Sequence, residues 1–226
     1  NWCYHGTVDE SIALLDGGRT VARPGNIGKP VPLEATTRVV EINDLAGLES
    51  ALAAGDVAAC LFEPALTNIG IVLPDPGYHA AARAPCTRYD ALLVIDETHT
   101  ISAGPGGCTR AWGLEPDFIT IGKTLGAGIA SGAYGMTEQV RARVYEHTDA
   151  KNADVGGIGG TLAGNALSLA AMRATLGQVM TDTAFTHMIE LGARFEAGVQ
   201  GVIESRGLPW HVVRLGRRVE YLFRPD

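Results

Sequence analysis

Ionisable residues follow three short apolar runs of the sequence, each at the point where the run ends. Runs of this kind are typical of strands buried on both faces. In open parallel sheets ligands bind at the carboxyl ends of strands, so the pattern predicts that these side chains meet at one edge of a sheet. The residues are Glu63 after VAACLF (57–62), Asp96 with Glu97 and His99 at the end of LLVID (92–96), and Lys123 after DFITI (117–121).

Each of these residues also has an ordinary structural interpretation when it is taken alone. Glu63 could close a loop, Asp96 could cap a helix, and His99 could be a polar residue at the margin of the core. Lys123 could be a loop lysine whose charge reaches water. These alternatives stay open for single residues, but three ionisable strand ends at one edge favour a functional site.

A lysine and a carboxylate at one sheet edge are the two protein groups that pyridoxal phosphate requires. The amine of Lys123 can form a Schiff base with a carbonyl group, and the carboxylate of Asp96 can keep a pyridine nitrogen protonated. A cationic ring accepts electron density when a bond at the substrate's amine-bearing carbon breaks, and the released lysine can then act as a base. Glycine clusters at 122–135 and 156–164 predict backbone that approaches another group closely.

Strand and helix patterns alternate along the chain, which predicts an α/β fold with a largely parallel sheet. Helices are predicted over 44–56, 162–180 and 182–207. The last of these is long and amphipathic, with Phe185 and Phe195 in its apolar stripe. The tail WHVVRLGRRVEYLFRPD predicts two short antiparallel strands around Gly216 and a change of architecture.

Composition narrows the classes of partner. The chain has 226 residues, a formal net charge of -7 and a pI near 5.4, so it has no basic footprint for nucleic acid or an anionic membrane, and a small-molecule substrate is expected. The four cysteines show no CxxC spacing, which argues against a zinc site or a disulfide framework. No apolar stretch reaches a membrane span and NWCYHGTVDE lacks signal-peptide features, so a cytoplasmic location is expected.

Five segments, in order, resemble the class III (subgroup II) pyridoxal-phosphate-dependent aminotransferases, a fold type I family that includes glutamate-1-semialdehyde aminomutase. The spacing from Asp96 to Lys123 also fits that family. The resemblance covers most of the chain and implies a large domain with a mainly parallel sheet, followed by the start of a small α+β domain. The segments are YHG (4–6), FEPALTNIGIVLPDPGY (62–78), LLVIDETHT (92–100), PDFITIGKTLGAGIASGAYG (116–135) and GGTLAGNALSLAAMRATL (159–176).

The resemblance implies a role for each matching residue. Lys123 would hold pyridoxal 5'-phosphate as a Schiff base, Asp96 would pair with the pyridine nitrogen, and His99 would lie near the cofactor's phenolic oxygen. Because the residue that binds the phosphate comes from the neighbouring subunit in this family, a homodimer with a shared active site is implied. The remaining implied contacts are Tyr4 stacking on the ring beside His5 and Gly6, Glu63 and Asn68 at the floor of the site, and Thr161 at the phosphate.

The same resemblance implies a division of the chain. Residues 1–180 would form the cofactor-binding large domain without its N-terminal part, and 181–226 would form a connecting helix and the beginning of a truncated small domain. Many relatives place an arginine for the substrate carboxylate further along. Three arginines near the end could take that role but are expected to be exposed strand residues. They are Arg214, Arg217 and Arg218.

Transamination is the first functional hypothesis, and an intramolecular aminomutase, which uses the same residues, is the second. A truncated, non-catalytic fragment is a further alternative. A nucleotide-binding domain could use GAGIASG (126–132), but this run lacks the dinucleotide fingerprint and a GKS or GKT ending. A metal hydrolase could use Asp96, His99 and Glu63, although only His99 offers a nitrogen ligand.

Overall fold

The computed structural model describes residues 1–3, 13–24, 32–147 and 162–225. Its contacts group the chain into two units, Asn1–Leu93 and Val94–Asp226, and the division falls inside a strand. No helix of the described residues combines the length and the apolar composition that a bilayer crossing requires. The predicted domain division at 180/181 stays a prediction.

The first unit consists of short elements. β1 and β2 form an antiparallel hairpin. The Leu92 N–H donates to the carbonyl oxygen of Ala58 at 2.9 Å, which places the start of β4 beside β3. The elements are β1 (Ala13–Asp16), β2 (Arg19–Ala22), α1 (Leu33–Thr36), α2 (Leu45–Leu52), β3 (Ala59–Phe62), α3 (Tyr78–Arg88) and the first residues of β4 (Leu92–Asp96).

Helix α2 begins where the sequence predicts and ends earlier. The carboxylate of Asp44 accepts a hydrogen bond from the Gly47 N–H at 2.8 Å, which caps the first turn. Leu48 and Leu52 are buried, and the helix ends at Leu52. Gly55 follows with a φ of 67°, in the left-handed region that favours glycine, and lies in the loop after the helix.

The second unit contains a mixed sheet, with helices between its strands. β4 pairs with β5 in parallel, and β5 pairs with β6 antiparallel. Strands and helices alternate as the α/β prediction requires. The elements after β4 are a 3-10 turn (Thr100–Ser102), α4 (Gly107–Trp112), β5 (Phe118–Ile121), a 3-10 turn (Lys123–Gly126), β6 (Ala133–Met136), α5 (Glu138–His147), α6 (Ala166–Ala174) with a π turn (Thr175–Val179), α7 (Asp182–Arg206), β7 (His211–Leu215) and β8 (Arg218–Leu222).

Helix α7 begins at a side-chain cap and ends at a glycine. The hydroxyl of Thr181 accepts from the Ala184 N–H at 3.2 Å, and Gly207 ends the helix with a φ of 58°. Phe185 is buried as the apolar stripe predicts, but Phe195 is 50% exposed. The stripe is therefore only partly covered by the described residues.

The β7–β8 hairpin is antiparallel, as predicted, and its turn packs against the segment that follows β4. The Arg217 N–H donates to the carbonyl oxygen of Ala103 at 3.1 Å. Gly216 has a φ of 58°, and a Cβ atom there would lie 1.9 Å from the same oxygen. The turn thus needs glycine for two reasons, the backbone conformation and the close approach to Ala103.

Replacing Gly216 with alanine is expected to lower the free energy of unfolding by about 3 kcal/mol, the sum of left-handed strain of about 1–2 kcal/mol and overpacking of about 1–3 kcal/mol. Urea unfolding followed by circular dichroism measures this change. Gly207→Ala is the matched control, because Gly207 has the same φ of 58° but no atom within 4 Å of its Cβ position. Equal losses for the two variants would contradict the role given to the Ala103 contact.

Candidate active site

Asp96 is a buried carboxylate at the carboxyl end of β4. Asp96 is the last residue of the strand and follows its apolar run, in which Leu93 and Ile95 are also buried. Only 7% of Asp96 is exposed, and its Oδ1 accepts a hydrogen bond from the Thr98 N–H at 2.9 Å. This bond closes the turn after the strand and fixes one carboxylate oxygen.

Lys123 lies at the end of β5 in an unusual backbone conformation. The strand ends at Ile121, Gly122 is extended, and Lys123 begins a 3-10 turn with a φ of 46°. Left-handed backbone is uncommon for a residue other than glycine, and such strain is concentrated at functional sites. Lys123 is an exposed residue.

Asp96 and Lys123 come together through the parallel pairing of β4 and β5. Asp96 is the register partner of Thr120, and Lys123 lies just beyond Thr120 at the same end of the sheet. The two strand-end loops also approach each other, because a Cβ atom on Gly122 would lie 3.3 Å from Cγ2 of Thr98. The second unit therefore brings the two predicted catalytic residues to one sheet edge.

The glycine-rich segment after Lys123 is a compact turn held by serine hydroxyls. A Cβ atom on Gly126 would lie 2.0 Å from Oγ of Ser131. The glycines predict that the backbone passes close to another group, and at Gly126 that group is a side chain of the same segment. The Ser131 hydroxyl donates to the carbonyl oxygen of Ile129 at 3.0 Å. From the first turn of α6, the Ser168 hydroxyl donates to the carbonyl oxygen of Ala130 at 2.8 Å. α6 thus supports the loop that follows Lys123.

His99 is half-buried in the segment between Asp96 and the hairpin turn. Its carbonyl oxygen accepts from the Ser102 hydroxyl at 2.7 Å and from the Ser102 N–H at 3.2 Å. The Arg217 guanidinium donates through Nε to the carbonyl oxygen of Ser102. The backbone that carries His99 is therefore held by the β7–β8 hairpin.

Glu63 and Asn68 belong to the first unit, in the loop that follows β3. Glu63 is buried and accepts a hydrogen bond from the Thr67 hydroxyl at 2.9 Å through Oε2. Asn68 is exposed. A bridge between Leu66 and Val72 closes the loop. Glu63 thus stabilises its own loop, as the ordinary interpretation of this residue requires.

Four of the predicted cofactor contacts lie outside the described residues. They are Tyr4, His5, Gly6 and Thr161.

Arg214 and Arg218 lie in strands as expected, but Arg217 lies in the turn between them, and all three arginines are half-buried, so the expectation that they are exposed is wrong. Arg214 bonds to Glu196 at 2.5 Å, and Arg218 bonds to Glu220 at 2.7 Å. Arg217 donates a hydrogen bond to the carbonyl oxygen of Ser102. The strand pattern could not show two of these partners, because Glu196 comes from α7 and Ser102 from the segment after β4.

Glu97 is a well-connected residue whose role the sequence did not reveal. It is 0% exposed, and its Oε2 accepts from the Thr100 hydroxyl at 2.5 Å and from the Cys108 N–H at 3.3 Å. Its Oε1 accepts from the Thr109 N–H. Burial, reinforced by the negative charge of Glu97, raises the pKa of the Cys108 thiol to about 12. The only sequence signal for this role was a second carboxylate directly after Asp96 in the chain.

No group of three or more histidine, cysteine, aspartate or glutamate side chains within the described ranges is arranged to hold a metal ion. The metal-hydrolase alternative therefore gains no support from the described part of the chain.

The chain belongs to the class-III aminotransferase family, whose sequence profile matches residues 2–216. This family is pyridoxal-phosphate-dependent and has the fold type I architecture that the sequence predicts. The donor set at the strand ends fits the cofactor, because an exposed lysine residue and a buried carboxylate lie at the carboxyl ends of adjacent parallel strands.

Among curated relatives, the chain is 35% identical over 225 residues to glutamate-1-semialdehyde 2,1-aminomutase of Sorangium cellulosum, covering 98% of this chain and 50% of the relative. A crystal structure of a glutamate-1-semialdehyde-aminomutase from Pseudomonas aeruginosa PAO1, a lysine-to-alanine variant in complex with PMP, matches with a TM-score of 0.94 and 50% identity. That match covers 100% of this chain and 51% of the other. A transaminase with PLP bound matches with a TM-score of 0.83 and 26% identity, covering 98% of this chain and 52% of the other. The chain thus spans about half the length of these proteins.

Proposed function

We propose that this protein uses pyridoxal phosphate to move an amino group between an amine or amino acid and a keto acid or aldehyde. The observation that carries this proposal is the pair of Asp96 and Lys123, placed at neighbouring strand ends by the parallel register of β4 and β5. Membership in a pyridoxal-phosphate-dependent family supports it. Lys123 would hold the cofactor as a Schiff base, and Asp96 would pair with its ring nitrogen.

Each residue would have a distinct task. When bound, the cofactor supplies an aldehyde for attachment and a ring that withdraws electrons from the reacting carbon. Asp96 would keep a proton on the ring nitrogen, and its burial limits competition from water for that carboxylate. Lys123, released by the substrate amine, would take the proton from the reacting carbon and return it. Lys123 is an exposed residue on the turn that follows β5.

The other predicted contacts complete this proposal. Tyr4, with His5 and Gly6, would lie on the ring face, and His99 would lie near the phenolic oxygen. The floor of the site would include Glu63 and Asn68. Thr161 would bind the phosphate of the neighbouring subunit, so that the protein acts as a homodimer, for which sedimentation would give twice the monomer mass. The large domain would end at residue 180, the connecting helix and small domain would begin at residue 181, and the protein would be cytoplasmic.

Borohydride reduction of the purified protein mixed with pyridoxal phosphate tests the Schiff base. The chain has three lysines, Lys29, Lys123 and Lys151, so peptide mapping separates the outcomes. We expect a visible chromophore that disappears on reduction, with the pyridoxyl label on Lys123. Lys29→Ala and Lys151→Ala are controls and should keep both the chromophore and the label. A label confined to Lys29 or Lys151, or no stable label, would overturn the assignment.

An intramolecular aminomutase is the second candidate, because two of the three relatives named above are glutamate-1-semialdehyde aminomutases. The two activities differ in their need for a second substrate. A mutase converts glutamate 1-semialdehyde without an added keto acid, whereas a transaminase acting on an amine stops after one turnover until a keto acid is supplied. Product measured with and without added keto acid therefore separates them.

A further inference from the structure

Glu97 is a buried carboxylate outside the set of predicted cofactor contacts. Burying a charged group is costly unless it is paired or hydrogen-bonded. Both oxygens of Glu97 accept hydrogen bonds, from one hydroxyl and two backbone N–H groups, and all three donors lie in the same unit as Asp96. The side chain therefore replaces its lost hydration with a fixed set of donors.

Two of these donors, the N–H groups of Cys108 and Thr109, belong to the first turn of α4. The N-cap of that helix is Gly106, which has no side chain to accept from the free N–H groups. Glu97 accepts instead from the N–H groups of Cys108 and Thr109. A Cβ atom on Gly107, which has a φ of 66°, would lie 2.5 Å from Oε2 of Glu97, so the helix start is shaped to admit this carboxylate.

The backbone of Glu97 is fixed as well. Its N–H donates to the carbonyl oxygen of Thr120 at 2.9 Å, and its carbonyl oxygen accepts from the Ile101 N–H at 2.8 Å. Asp96 precedes it directly and is the register partner of Thr120. A shift of Asp96 along or out of the sheet therefore requires the loss of several bonds made by Glu97.

We propose that Glu97 is a positioning residue that holds the Asp96 carboxylate in place for the cofactor's ring nitrogen by anchoring the end of β4 to α4. Glu97 itself does not touch the cofactor in this scheme. The inference rests on the proposed function, because the target of Asp96 is the pyridine nitrogen. Glu97 would therefore affect cofactor binding only by way of the position of Asp96.

A double-mutant cycle on the binding of pyridoxamine phosphate tests this dependence. This ligand has the pyridine ring but no aldehyde, so its dissociation constant is independent of a Schiff base to Lys123. Glu97→Gln keeps the volume but replaces one acceptor with an NH2 group, which faces a donor. In an otherwise native protein, Glu97→Gln should weaken the binding of pyridoxamine phosphate about tenfold, which is within the usual coupling energy of contacting residues. In the Asp96→Asn background, the same substitution should weaken binding by less than about twofold further.

Hydrogen exchange of the cofactor-free protein gives a second readout that does not require activity. Peptides covering 107–109 should exchange faster in Glu97→Gln, because glutamine keeps only one side-chain oxygen and either the Cys108 or the Thr109 N–H group loses its acceptor. Glu115→Gln, which changes an exposed carboxylate of the same unit, is the matched control and should alter neither readout. If Glu97→Gln does not fold, Thr100→Val, which removes one donor only, replaces it in the same cycle with an expected loss of about threefold.

An equal loss of affinity in the native and Asp96→Asn backgrounds would overturn the inference, because Glu97 would then act independently of Asp96. Unchanged affinity in both backgrounds, with faster exchange at 107–109, would also overturn it and make Glu97 a structural cap of α4. Failure of the proposed function is separate, since it would appear as a missing borohydride label on Lys123 in the unmodified protein.

Discussion

Replacing Lys123 with alanine is expected to reduce turnover by at least about 10⁴-fold, because a positioned general base alone contributes about 10²–10⁴-fold. The variant also loses the amine that would hold the cofactor covalently. Binding of pyridoxamine phosphate should change by less than about threefold, since an exposed lysine outside the ring-nitrogen contact contributes little to this ligand. Steady-state rates with a saturating amine donor and keto acid, together with a fluorescence titration of pyridoxamine phosphate, measure the two effects.

Two matched controls accompany this variant. Lys29→Ala and Lys151→Ala remove the other lysines of the chain and should retain native turnover. The free energy of unfolding of Lys123→Ala should stay within about 1 kcal/mol of the native value, because surface substitutions usually have small effects. Turnover of Lys123→Ala within tenfold of the native protein would refute the assignment of Lys123 as the base.

Replacing Asp96 with asparagine is expected to lower kcat by about 10²–10³-fold, the range for removing one preorganised electrostatic contact at a reacting group. Asparagine keeps the volume and an oxygen that can accept from the Thr98 N–H, so the turn after β4 should survive. The lost negative charge, however, no longer favours a protonated ring nitrogen. Pyridoxamine phosphate should also bind about 10- to 100-fold more weakly, as expected for a lost bond to a charged group.

The cofactor itself supplies the decisive control for Asp96. A pyridoxal phosphate analogue methylated on the ring nitrogen carries a permanent positive charge and does not need a carboxylate to keep a proton there. With Asp96→Ala, which makes room for the methyl group, this analogue should recover part of the lost rate relative to the unmodified cofactor. Unchanged kinetics in Asp96→Asn would instead mean that Asp96 only closes its turn.

The placement of Asp96 and Lys123 was predictable because each ends a short apolar run. Buried strands are recognised from their own residues, and strands joined by helices pair in parallel with their carboxyl ends at one edge. The structure confirms this placement in the second unit, where Asp96 pairs in register with Thr120. The chemical roles of these residues stay predictions until the labelling and kinetic experiments are made.

The glycine-rich segment shows where composition stops being informative. Clustered glycines indicate that the backbone passes close to another group, but they do not say which group. At Gly126 that group is the hydroxyl of Ser131 in the same turn, whereas Gly128 has no atom within 4 Å of its Cβ position. At Gly107 it is the carboxylate of Glu97, which lies ten positions earlier in the sequence.

Features that depend on residues within a few positions were readable directly from the chain. The start of α2 near Asp44 and the polar ends of β4 and β5 are of this kind, because hydrogen bonds and burial within one turn or strand decide them. The donors to Glu97, the contact of Gly216 with Ala103 and the pairing of Arg214 with Glu196 are different. They arise only when separate elements pack together, since the path of the chain, and no local pattern, determines which groups meet.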